Sequence, residues 1–465
     1  MFWRGGYVSV AAARPGGADC TRKGTFPMAI LDRSHSPTRR ARLFAGVGAA
    51  AFAVAVLCAG AGPSSADTVT DITIATRPFA VAITPDGTHA YVTNNYSDSV
   101  SVIDTGTNTV AATVPVGANP FGVAIAPNGA RAYVANRMSD SVSVIDTATN
   151  TVATTVPVGA NPSGVAITPD GTRAYVTDSG SDSVSVIDTA TNTVAATVPV
   201  GRSPSGVAIT PDGTRVYVTN VLTDTVSVID TGTNTVAATV PVGANPSGVA
   251  ITPDGTRVYV TNQNTYTVSV IDTATNMAFG APIQVGQWPL GVAITPDGAR
   301  AYVVNSPYGR GTVSVIDTAT NTVTETVAIG TGPGAVAITP DGSHAFVTNN
   351  GSNTVSVITI GLAPTLTGTP TAGTVGNPYS HAFTVTGRPA PTVAVTAGTL
   401  PDGLTLSADG VLSGTPTADG RFEFTLSASN AIGNDAVLPV AMDISTQPST
   451  GPMPVGSLGS LTGAS

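Results

Sequence analysis

Short runs in which apolar and small polar residues alternate recur through the middle of the chain. Gly164-Val165-Ala166-Ile167-Thr168 is followed by a Pro169-Asp170-Gly171 turn and by Arg173-Ala174-Tyr175-Val176-Thr177. Then come Val184-Ser185-Val186-Ile187-Asp188 and, after a Thr-Ala-Thr-Asn turn, Val194-Ala195-Ala196-Thr197-Val198-Pro199-Val200. Period-two alternation over such short runs, bounded by turn residues, predicts four strands, here named A to D. Proline presets the first turn position and glycine is free to take positive φ, so Pro-Asp-Gly predicts a tight A–B hairpin.

The unit occurs seven times. Its turn glycine falls at Gly87, Gly129, Gly171, Gly213, Gly255, Gly298 and Gly342, in steps of 42, 42, 42, 42, 43 and 44 residues. A period of about 40–45 residues with strand content predicts propeller blades rather than a helical solenoid. Strand D carries Pro115, Pro157, Pro199 and Pro241. Proline cannot donate to a ladder, so D is the outer edge and A the inner strand. Both faces of a blade pack on neighbours, which assigns the repeated Val, Ile and Tyr positions to the core. Only six D strands lie inside the repeats. Residues 68–78 align with 110–120, so the N-terminal strand is expected to complete the last blade and close the ring.

These residues resemble the YVTN-family β-propeller repeat of surface-layer and other exported proteins. Tyr91-Val92-Thr93-Asn94, Tyr217-Val218-Thr219-Asn220 and Tyr259-Val260-Thr261-Asn262 carry the motif outright. Tyr133-Val134-Ala135-Asn136, Tyr175-Val176-Thr177-Asp178, Tyr302-Val303-Val304-Asn305 and Phe346-Val347-Thr348-Asn349 approach it. The resemblance implies a seven-bladed propeller over residues 67–360 and leaves function open, because propellers carry binding and enzymatic roles alike.

After Gly361 the period stops. Strand-like runs at 379–386, 392–396, 404–407, 422–428 and 437–444 are spaced as in a sandwich. Leu400-Pro401-Asp402-Gly403-Leu404-Thr405-Leu406 and Gly410-Val411-Leu412-Ser413-Gly414-Thr415-Pro416 resemble the Ig-like or cadherin-like modules of bacterial surface proteins, which implies a spacer or adhesion unit over 361–445. Asp402, Asp409, Asp419 and Asp435 read as turn residues, since they lack the clustered spacing of calcium ligands. Residues 446–465, rich in Ser, Gly, Pro and Thr, read as a flexible tail.

Charge divides the chain. Residues 1–66 hold eight Lys+Arg against two Asp+Glu, a charge of +6; the remainder, with eleven against twenty-six, carries −15 and contains no lysine. An acidic, lysine-free body is a poor partner for phosphate backbones, which argues against nucleic acid. Residues 1–66 read as an upstream extension followed by an export signal, with Met28 as an alternative start. Arg33, Arg39, Arg40 and Arg42 precede an apolar run to Gly62, and Ser64-Ser65-Ala66 offers a cleavage site. The expectation is a secreted or cell-surface protein with no transmembrane segment in the mature chain. Both cysteines, Cys20 and Cys58, fall in the presequence, so the mature chain has no disulfide or thiolate chemistry.

Catalytic material is sparse. The mature chain has His89, His344 and His381, and only Glu325 and Glu423. Most propeller aspartates recur in two places, the Pro-Asp-Gly turn and the end of strand C (Asp104, Asp146, Asp188, Asp230, Asp272, Asp317), where turn geometry explains them. No catalytic residue, metal site or cofactor is expected. The informative residues are those that break the repeat. Connectivity puts the D–A and B–C loops on one face and the A–B and C–D turns on the other. The first set varies: its B–C loops hold Tyr96, Arg137-Met138, Val221-Leu222, Tyr266 and Tyr308-Gly309-Arg310, and its D–A loops hold Arg77, Phe79, Phe121, Arg202 and Trp288. Aromatic and arginine side chains are typical interface anchors. We take Arg77, Phe79, Tyr96, Phe121, Arg137, Arg202, Trp288, Tyr308 and Arg310 as the candidate binding set of a non-catalytic surface or secreted protein, with an envelope protein or glycan as partner. The alternatives are an enzyme of the lactonase type and a structural envelope component.

Overall fold

The computed structural model describes residues 67–446, except 431 and 433. The expected export signal, both cysteines and the Ser/Gly/Pro tail lie outside the described residues. The described chain is all-β, a seven-bladed propeller followed by an Ig-like domain. Each blade is an antiparallel sheet in the order A-B-C-D, as in Pro162–Ile167, Arg173–Asp178, Ser183–Asp188 and Thr193–Pro199. Strands B and C are buried almost throughout and strand D is mostly exposed, which agrees with a proline-tolerant outer edge. Blade five departs from the repeat. Its strand D is split into Met277–Ala278 and Ile283–Gln284 around Gly280, which has φ 71°.

The ring closes with the N-terminal strand. Thr68–Thr73 pairs antiparallel with Thr354–Thr359, from Thr68 opposite Thr359 to Thr73 opposite Thr354. This supplies the outer strand of blade seven from the other end of the chain.

The motif that repeats at the end of strand B holds the seams together. Its tyrosine is the largest core side chain, and Tyr175, Tyr217 and Tyr302 are fully enclosed. The phenol donates to the C–D turn of the next blade: Tyr91 to Asn150 Oδ1 at 2.7 Å, Tyr175 to Asn234 at 2.9 Å and Tyr259 to Asn321 at 2.7 Å. Blade seven has no such turn, and Tyr302 donates instead to Asp67 Oδ2 at 3.1 Å. The other oxygen of Asp67 accepts from the Gly361 amide at 2.9 Å, so one buried carboxylate ties both ends of the propeller. Phe346 has no hydroxyl to give, and Asn108 Oδ1, which stands where Asn150 stands one blade later, is buried without a partner.

The motif threonine bridges strand A of its own blade to strand A of the next. Thr177 Oγ1 accepts from Gly164 N at 2.7 Å and donates to Ser205 O at 2.7 Å. Thr93, Thr219, Thr261 and Thr348 make the same cross-seam bond. Ala135 and Val304 cannot, so two seams lack this link.

The Ig-like domain begins directly after the propeller. Gly373–Thr374, Ala436–Ser445, Gly420–Ser429 and Thr392–Gly398 form one sheet; Tyr379–Ala382, Val411–Gly414 and Leu404–Leu406 form another; Leu362–Thr367 pairs with Thr384–Arg388. Leu366, Phe383, Val393, Leu412, Phe424, Leu426 and Met442 fill its core. The strands at 362–367, 373–374 and 411–414 were not among the sequence-derived runs. Each is short or interrupted by Gly or Pro, which breaks the alternation that marks a strand. Arg388 fastens the domain to blade seven, with Nη1 donating to Gly342 O at 3.0 Å and Ile360 O at 3.4 Å.

Candidate functional site

The two families of loops occupy opposite faces, as connectivity requires. On one, Asp98 Oδ1 of a B–C loop accepts from Asn119 N of a D–A loop at 2.8 Å, and Asp140–Asn161 and Asp224–Asn245 repeat this. On the other, Thr105 Oγ1 of a C–D turn donates to Gly87 O of an A–B turn at 2.5 Å.

The turn aspartates are occupied by their own turns. Asp170 accepts from Thr168 Oγ1, Thr172 N and Thr172 Oγ1. Asp188 accepts from the Thr191 amide and hydroxyl. These bonds hold both carboxyls below the usual carboxylate range. Asp409 likewise accepts from Ser407 Oγ. His89 and His344 each bond a neighbouring hydroxyl, of Thr88 and Ser343, through Nδ1. Among the described residues no three His, Cys, Asp or Glu side chains come together in a way that could hold a metal ion.

The B–C/D–A face differs from blade to blade, and most of the candidate residues meet there in pairs. The Arg77 guanidinium lies 4.1 Å above the ring of Tyr96. Phe79 and Phe121, from strands A of adjacent blades, lie with ring centroids 3.7 Å apart, and Arg137 sits 5.0 Å over Phe121. Trp288 meets Tyr308 edge to face at 4.3 Å and 86°. Tyr96 and Tyr308 are 66% and 93% exposed, so these contacts leave ring surface open to solvent. Two candidates stand apart. Arg202 is exposed in blade four and makes no ring or ion contact among the described residues. Arg310 is tied back by Nε to Ile329 O at 3.1 Å within its own hairpin.

Backbone geometry marks the same face. At the fixed loop position where Asn119, Asn161, Asn245 and Ser203 adopt positive φ, blades one and six carry Arg77 (57°) and Trp288 (51°). At the B–C position where Asp98, Asp140, Asp182 and Asp224 do so, blade five carries Tyr266 (57°). Asparagine and aspartate tolerate this region, whereas bulky residues there are outliers costing about 1–3 kcal/mol each. Tyr266 and Trp288 together replace an Asp–Asn pair that is hydrogen-bonded in other blades. Tyr266 is therefore a further candidate, detectable in sequence by aligning it with the aspartates rather than by its residue type. Between the two aromatic groups lies blade seven, whose loops on this face carry Gly330, Gly332 and Gly351.

The comparisons with known proteins agree with the architecture. The family model described as "Lactonase, 7-bladed beta-propeller" matches residues 64–156 and 188–281, and the one described as "YNCE-like beta-propeller" matches 124–215. The "Putative Ig domain" family model matches 363–445. Among solved structures the chain is similar to hydrazine synthase of Kuenenia stuttgartiensis, at 27% identity and a TM-score of 0.57, over 62% of this chain and 97% of that one. No curated protein matches.

Proposed function

We propose that this seven-bladed β-propeller with a C-terminal Ig-like domain is an exported, non-catalytic binding protein of the cell surface or its surroundings. Its ligand surface is the B–C/D–A face, along the arc from Trp288 and Tyr308 across blade seven to Arg77, Tyr96, Phe79, Phe121 and Arg137. The observation that carries this reading is the retention of Arg77, Tyr266 and Trp288 at left-handed positions where the repeat uses Asn or Asp. Strain kept at one exposed and two half-buried positions on this face, which a smaller residue would relieve, favours a role in recognition. Exposed aromatic rings flanked by guanidinium groups suit an envelope glycan, through stacking, or an envelope protein. Export rests on the basic, apolar N-terminal segment.

The test uses the chain from residue 67, in which Trp288 is the sole tryptophan. Binding to isolated cell envelopes is followed by sedimentation and by Trp288 fluorescence. Protease treatment and periodate oxidation of the envelopes distinguish protein from glycan. Trp288→Ala with Tyr308→Ala is expected to weaken binding about ten-fold or more with the fold intact by circular dichroism. Unchanged binding by the folded double variant would sink the proposal.

A lactonase is the second reading, favoured by the match of that family model to two stretches of the propeller. It requires turnover of a lactone by the purified chain, and a rate indistinguishable from buffer would remove it.

A further inference from the structure

The opposite face contains a site independent of the aromatic arc. In blades three, four and six the arginine that opens strand B reaches across the seam to the chain that follows strand C of the next blade. Arg173 Nη1 donates to Thr231 O at 2.7 Å, Arg215 Nη1 to Thr273 O, and Arg300 Nη1 to Gly361 O at 3.0 Å. The guanidinium thereby lies beside the phenol of the buried tyrosine of its own blade. Burial raises the phenols of Tyr175 and Tyr217, and the adjacent arginine opposes that shift.

Blade five breaks this arrangement. Arg257 Nη1 turns back to Asp272 Oδ2 at 2.5 Å and Thr256 O at 3.0 Å, and its guanidinium lies 3.9 Å above the ring of Phe279. The split strand D supplies that ring: Phe279 N bonds Val270 O at 2.7 Å, and the chain then bulges outward at Gly280. Thr318 O, the counterpart of Thr231 O, receives no donor among the described residues. A cavity of about 340 Å³ opens in the seam and reaches down to Tyr259 and Asn321. The corresponding cavity between blades three and four, about 300 Å³, is not lined by Tyr175 or Asn234. Arg131 of blade two makes no cross-seam bond either, but strand D there is regular and no ring lies over that guanidinium.

We propose that the blade five–six cleft is a socket for a cationic side chain, an arginine or lysine presented by a partner protein, whose head group takes the place vacated by the Arg257 guanidinium. Thr318 O and the Tyr259 hydroxyl oxygen are the acceptors at its base. Asp254 and Asp297 line its mouth; Asp272 makes the direct ion pair with Arg257, which leaves these two carboxylates without an ion pair of their own among the described residues. Phe279, 42% exposed, gives the aliphatic stem an apolar rim. The chain thus uses on itself, in three blades, the recognition it offers outward in the fifth.

The full chain, isotope-labelled for amide NMR, is titrated with N-acetyl-arginine methylamide and, in parallel, with the uncharged N-acetyl-norleucine methylamide. The arginine probe is expected to move the amides of Thr318, Ala319 and Asn321 while leaving Thr231 and Gly232 in place, and the norleucine probe to move neither group. Phe279→Ala releases Arg257 to cross the seam and fill the socket, so binding falls about ten-fold or more, whereas Arg257→Ala retains it. Equal shifts at the blade three–four seam, no shifts at all, or wild-type titration by Phe279→Ala would overturn the proposal.

Discussion

The hydroxyl of Ser185 donates to the carboxylate of Asp178 over 2.7 Å, reversing a hydrogen bond that six other blades make the opposite way. In those blades an asparagine ends strand B and its Nδ2 donates to the serine, as in Asn136 to Ser143 at 2.9 Å and Asn220 to Ser227 at 2.9 Å. Asparagine stays neutral in this buried place, whereas Asp178 can ionise. Burial pushes its carboxyl up to about 6, with the Ser185 hydroxyl and the Gly159 and Ser185 amides acting in the other direction.

The sign of the consequence follows from which state holds the proton. Between about pH 4, where an unfolded aspartate titrates, and about pH 6, the folded chain binds the extra proton, so this group's contribution to stability falls as pH rises through that window. Above it the ionised side chain costs about 2–3 kcal/mol. Asp178→Asn is therefore expected to raise the urea midpoint at pH 7 and to lose that advantage near pH 4. Midpoints measured across that range check it, and a pH-independent difference would contradict the account.

Three seams lack a bond that the others make, and each can be supplied. Phe346→Tyr provides the hydroxyl missing at Asn108 Oδ1. Ala135→Thr and Val304→Thr restore the bridge that Thr177 makes to the next strand A. Each is expected to stabilise the ring by about 0.5–1.5 kcal/mol. Tyr133→Phe, which removes the 3.2 Å bond to Asn192, is expected to act oppositely by a similar amount. Chemical denaturation of the four single variants tests the set.

Asp67→Ala leaves the Tyr302 hydroxyl and the Gly361 amide buried without acceptors. A loss of about 2–4 kcal/mol is expected for the two groups together. Because the damage is local to the closing blade, limited proteolysis should cut first within Thr354–Thr359 or the strand that pairs with it.

Arg388→Ala removes the two side-chain bonds from the Ig-like domain to Gly342 and Ile360. Both domain cores are untouched. The expected outcome is unchanged amide dispersion but faster, independent tumbling of the Ig-like domain in NMR relaxation. Common rotational correlation times for the two domains would refute it.

The repeat made the fold readable because each copy states the same local instructions. Pro-Asp-Gly sets one turn, the aspartate at the end of strand C sets the other, and prolines mark the outer strand. Even the closing strand was visible, since residues 68–78 align with 110–120. Departures from the pattern were harder to interpret. Trp288 and Arg77 stood out by residue type, but their left-handed backbone becomes apparent only once they are aligned with Asn119. That Phe79 would lie against Phe121 follows from two strands converging on the axis, which no linear spacing encodes. Arg202 shares its chemistry with Arg77 and Arg137 but sits on a blade without an aromatic neighbour. Phe279 carries no signal in the sequence, because the one extra residue in the 43-residue step from Gly255 to Gly298 does not show that strand D splits there and sets a ring under Arg257.

The strand Thr68–Thr73 also sets the order in which the molecule can be completed. It is synthesised before any blade and has no partner until Thr354–Thr359 exists, nearly three hundred residues later. Blades one to six can each form from a contiguous stretch as it emerges, by local hairpins that close quickly. The seventh has to wait for the whole propeller, with an unpaired strand idle beside six near-copies of its eventual sheet. Those copies already carry their own outer strands, so the places where the early strand could pair wrongly are filled as soon as they appear. Sequential production thus guards the ring against misassembly that its own regularity would otherwise invite.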